Sequence, residues 1–127
     1  MGKLSDRFLR VVDQICTTNL DYPKEAYCFV YEALGFATRA LDLEPDQHLS
    51  AEELIYAGVV PLAFNRWGFL AQKVLGHWNI FCSEDIGKIV HKFVDFGVFN
   101  KDSTDHWEDF SDVELGREFE RLQKSNS

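Results

Sequence analysis

The chain has 127 residues, of which 46% are hydrophobic and 27% charged, enough for one domain with a proper core and too few for two ordinary ones. Twenty-one acidic residues against 13 basic leave a net charge of −8, which disfavours nucleic acid, whose non-specific affinity comes largely from neutralised phosphates. Cys16, Cys28 and Cys82 are odd in number and lack CxxC spacing, so neither a disulfide frame nor a zinc knuckle is expected.

The opening residues are amphipathic and charged rather than a signal peptide, and no run of about 18 apolar residues is read as a membrane span. The expectation is a soluble, cytoplasmic protein with reduced thiols and no membrane partner. The aromatic share is high, with 11 Phe, 3 Trp and 4 Tyr, and most of these rings are expected to fill the core.

In chain order, Leu4, Phe8, Val11, Val12, Ile15 and Cys16 recur at helical spacing and predict a helix over about residues 3–18. Pro23 suits a first helical position, with Glu25 complementing that helix end. The second helix then buries Ala26, Tyr27, Phe29, Val30, Ala33, Leu34, Ala37 and Leu41, and Gly35 in its middle offers a close approach to another element. An acidic connector with Pro45 follows at residues 42–49.

Ser50-Ala51-Glu52-Glu53 is a capping box that starts a third helix, carried on by Leu54, Ile55, Gly58, Val59, Leu62 and Ala63 and kinked or interrupted at Pro61. After a turn at residues 65–68, Leu70, Val74, Leu75 and Trp78 form the apolar face of a short fourth helix. The best specified stretch is residues 83–101. Ser83 caps a helix with Glu84 and Asp85 at its positive end, Ile86, Ile89, Val90, Phe93 and Val94 make one stripe, and Gly97 stands at a left-handed C-terminal cap.

Residues 98–101 pair best with residues 107–110 across a polar loop, and a helix followed by a hairpin is the central pattern of a winged-helix domain. Leu115, Phe119 and Leu122 predict a last helix near residues 113–122. The expected fold is therefore mainly α with a small β-hairpin, in one domain spanning residues 1–127. An N-terminal helical pair (1–42) packs on a winged-helix-like unit (50–111), closed by a C-terminal helix and tail (112–127).

The strings Tyr22-Pro23-Lys24-Glu25-Ala26-Tyr27, His48-Leu49-Ser50-Ala51-Glu52-Glu53-Leu54 and Ser83-Glu84-Asp85-Ile86-Gly87-Lys88-Ile89-Val90 resemble a family of short uncharacterised bacterial proteins. The likeness runs from about residue 20 to Asp109-Phe110. It implies a stand-alone domain and brings no activity, cofactor or site residue with it.

No residue set spells a reaction, and no catalytic, cofactor or metal residue is nominated. The leading expectation is a non-enzymatic module that binds a protein partner or a second copy, with Trp67, Phe81 and Trp107 as aromatic anchors in a polar rim. The alternative is a winged-helix DNA-binding regulator that uses Lys88, His91, Lys92 and Lys101, with His106 near the wing, though acids crowd the same stretch. Third is a small enzyme or metal protein built on His48, His77, His91 and His106 with carboxylates, none in a recognised ligand spacing, or on Cys82 before its helix.

Overall fold

The computed structural model describes residues 5–44, 49–98 and 115–125. Ser5 opens α1 (Asp6–Thr18) by accepting the Phe8 N–H on its hydroxyl at 3.1 Å, and the helix turns Phe8, Val12 and Ile15 inward. After Pro23, α2 (Lys24–Ala40) buries Ala26, Tyr27, Phe29, Val30, Ala33, Leu34 and Ala37. Three of those are alanines, so one side of α2 is nearly flush with its backbone.

The stretch Ala51–His77 uses that flat side. Ser50 and Glu53 satisfy each other's backbone N–H groups as the capping box requires, at 3.1 and 2.9 Å, and start α3 (Ala51–Glu53). A π turn (Leu54–Val59) follows and brings Gly58 against α2, where a Cβ would stand 2.6 Å from the Ala33 carbonyl oxygen and 3.1 Å from the Ala37 Cβ. The close approach expected at Gly35 is thus made by Gly58, whereas a Cβ at Gly35 would meet only the tip of Arg39 at 3.4 Å. The π turn ends as Val60 N–H bonds Ile55 O, so α4 (Val60–Trp67) restarts with Pro61, which has no N–H to give, in its first turn.

A 3₁₀ turn (Gly68–Leu70) then separates α4 from α5 (Ala71–His77). By length and composition Ala51–His77 could cross a bilayer, with a mean hydropathy of 1.3 in its apolar window, of which 44% is buried inside the fold. Its Leu54, Ile55, Val59, Leu62, Ala63, Ala71 and Leu75 belong to the core, an arrangement compatible with the central helix of a soluble protein.

Helix α6 (Ser83–Asp95) packs Ile86, Ile89, Val90 and Phe93 into the same core, and α7 (Leu115–Ser125) adds Leu115 and Phe119. The Phe93 ring lies 5.8 Å from Phe8, 5.9 Å from Tyr27 and 6.2 Å from Tyr31, tying α1, α2 and α6 together. One buried cluster thus draws on both N-terminal helices and the later ones.

The expected fold class is corrected on its β component. The described residues are 79% helical with no strand among them. Val98 explains the start of the correction, because its N–H bonds Phe93 O at 2.8 Å and Gly97 N–H bonds Val94 O at 3.1 Å. That is a Schellman cap with Gly97 at φ +77, so Val98 finishes the helix instead of opening a ladder. The remainder of the expected hairpin, residues 99–101 and 107–110, lies outside the described residues. The winged-helix-like unit goes with the hairpin, since the wing is what distinguished it from a helical bundle.

Candidate interaction surface

Gly68 sets the geometry of the exposed side. It adopts φ +53 and ψ −122, a conformation L side chains rarely hold, and a Cβ there would have nothing within 4 Å. The turn carries the next two residues outward, leaving Phe69 73% and Leu70 60% exposed. On α5, Ala71 and Leu75 point inward, so Phe69, Lys73 and Gly76 follow one another at i, i+4 and i+7 along the outer side. Gly76 provides a seat, as a Cβ there would come within 3.2 Å of the Phe81 ring, which remains 63% exposed. The result is a ridge of Phe69, Leu70 and Phe81 with exposed Lys73 and His77 between them.

The ridge runs into a groove. Phe64 lies 6.5 Å from Phe69, ring to ring, and also lines a groove of about 440 Å³ between α4 and α7. Tyr56, Val60, Pro61 and Leu122 supply its other apolar walls, while Asn65 and Arg121 supply polar atoms. Arg121 donates to Glu118 at 3.1 Å. On the opposite flank of α4, Arg66 donates to Glu32 of α2.

This side of the molecule also differs in charge. Residues 54–83 contain Arg66 and Lys73 and no Asp or Glu, while the rest of the chain holds 11 basic residues and all 21 acids. Two acids of neighbouring elements, Glu32 and Glu118, each meet an arginine, and Asp85 of α6 reaches the end of the ridge at Phe81. A stretch with two cations and no acid therefore interrupts an otherwise acidic chain, and Lys73 is its exposed cation on the ridge.

Among the nominated anchors, Phe81 is on the ridge. Trp67 is half-buried instead, 5.4 Å from Phe29 and 5.5 Å from Trp78, so its ring joins helices rather than offering itself. Trp107 lies outside the described residues. Phe69 and Leu70 were missed, and the signal that could have found them is the acid-free run of residues 54–83 with a glycine immediately before two large apolar residues.

Of the nominated nucleic-acid face, Lys88 and His91 are exposed on α6 and Lys92 is half-buried, while Lys101 lies outside the described residues, as do His48 and His106. Exposed Glu84 and Asp95 share that helix with them. His77 and His91 sit on different helices, and no group of three or more His, Cys, Asp or Glu able to hold a metal occurs among the described residues.

One polar cluster supports the end of the ridge. The α6 cap falls on Cys82 rather than Ser83, because Asp85 reaches back to accept the Phe81 and Cys82 N–H groups at 2.8 and 3.2 Å. Its other oxygen accepts the Tyr22 hydroxyl at 2.6 Å, and the Cys82 thiol lies 3.6 Å from Asp85 Oδ2. Burial pushes the Asp85 carboxyl up, but the bonds from Tyr22, Phe81 and Cys82 outweigh it and hold the group below the ordinary carboxylate value. Burial, and then the bond to Asp85, push the Tyr22 hydroxyl well above its ordinary value. Asn79 completes the join by donating to Asp21 O at 3.0 Å. Cys16 and Cys28 are half-buried against the core, and burial raises both thiols.

Comparison with protein-family models, with curated proteins and with solved structures finds no match for the chain.

Proposed function

We propose that this protein is a non-enzymatic interaction module of the cytoplasm that binds a protein partner through the ridge of Phe69, Leu70 and Phe81. The observation that carries the reading is the grouping of these three side chains, each more than half exposed, beside a groove they share through Phe64. Single exposed apolar residues are ordinary, but several large ones on one side of a fold, with polar groups between them, are candidates for a contact site. Aromatic anchors ringed by polar side chains are also where binding energy concentrates.

The test is affinity capture from native lysate, with nuclease present, comparing the natural chain with Phe69→Asp/Leu70→Asp. Both substituted positions are exposed, so unfolding temperature should be unchanged, and a stoichiometric protein should be retained by the natural chain and lost from the variant. Capture of the same proteins by both chains would defeat the reading.

A further inference from the structure

We draw no further inference here: the strongest candidate, the groove between α4 and α7 beside the exposed ridge of Phe69, Leu70 and Phe81, carries nothing beyond the interaction site already described, because nothing in the structure shows what covers it.

Discussion

Two glycines on the helical stretch Ala51–His77 do opposite work. Gly58 lies in the π turn against α2, and its missing side chain lets two backbones approach until a Cβ would overlap the Ala33 oxygen. Gly68 lies at the other end in open space, and what matters there is its backbone conformation, which sends Phe69 and Leu70 to the surface. One glycine closes the core and the other presents the ridge. The same residue type in one apolar run therefore reads as packing or as display only once its neighbours in space are known.

The sharpest way to break the buried half is Gly58→Val. The clashing atom is a backbone oxygen that cannot swing aside, and a branched side chain adds two more carbons. The expected loss is about 3 kcal/mol or more in urea unfolding, at the upper end of overpacking costs. A fall under about 1 kcal/mol would mean that the approach of the π turn to α2 is looser than 2.6 Å implies.

The second prediction concerns the join between core and ridge, where Asp85 holds the backbone of Phe81. The Asp85 carboxyl titrates below its ordinary value of 3.8 when folded, so its contribution is complete above about pH 4 and is lost as pH falls through the lower folded value. The Tyr22 hydroxyl is shifted upward, so its contribution is complete below the ordinary value of 10.0 and declines as pH rises beyond it. Asp85→Ala should cost about 2 kcal/mol at pH 7 through the lost cap and the unpartnered Tyr22 hydroxyl. It should also flatten the acid limb of a stability profile measured by thermal unfolding from pH 3 to 8. An acid limb unchanged in the variant would assign that limb to other carboxylates.

Much of this arrangement was legible in the sequence where the signal is local. The Ser50–Glu53 capping box, the α6 stripe through Phe93 and the cap at Gly97 each depend on residues within a turn of one another. What was not legible depends on contacts across the fold. Gly35 and Gly58 look alike along the chain, and only the register of α2 against the π turn separates them. Leu70 was expected to face inward because it was counted into the apolar face of the fourth helix, whereas it ends the 3₁₀ turn before α5 and is 60% exposed. The net charge of −8, summed over the whole chain, conceals the acid-free run at residues 54–83. Trp67 looked like an anchor because nothing in its neighbours along the chain announces Phe29.

Gly68→Ala tests the display half. The expected cost is about 1–2 kcal/mol, from placing a side chain at φ +53. Part of it is relieved if the turn rearranges, and hydrogen exchange at Phe69 and Leu70 would then rise while the amides of α2 stay protected. The loss should remain smaller than for Gly58→Val, because no atom obstructs the new methyl group.

The smallest effect is the one that separates position from residue type most cleanly. Gly35→Ala lies in the middle of α2, where its Cβ would touch only the flexible end of Arg39 at 3.4 Å. An alanine there restricts the unfolded chain and favours the helix by about 0.5–1 kcal/mol without a clash. Stability should therefore rise, opposite in sign to Gly58→Val although both add side chain to a helical glycine in contacting elements. A loss at Gly35 of the size expected at Gly58 would mean that α2 turns a different side to the π turn. The close approach would then pass from Gly58 to Gly35, and the placement of α4 that frames the groove would have to be redrawn.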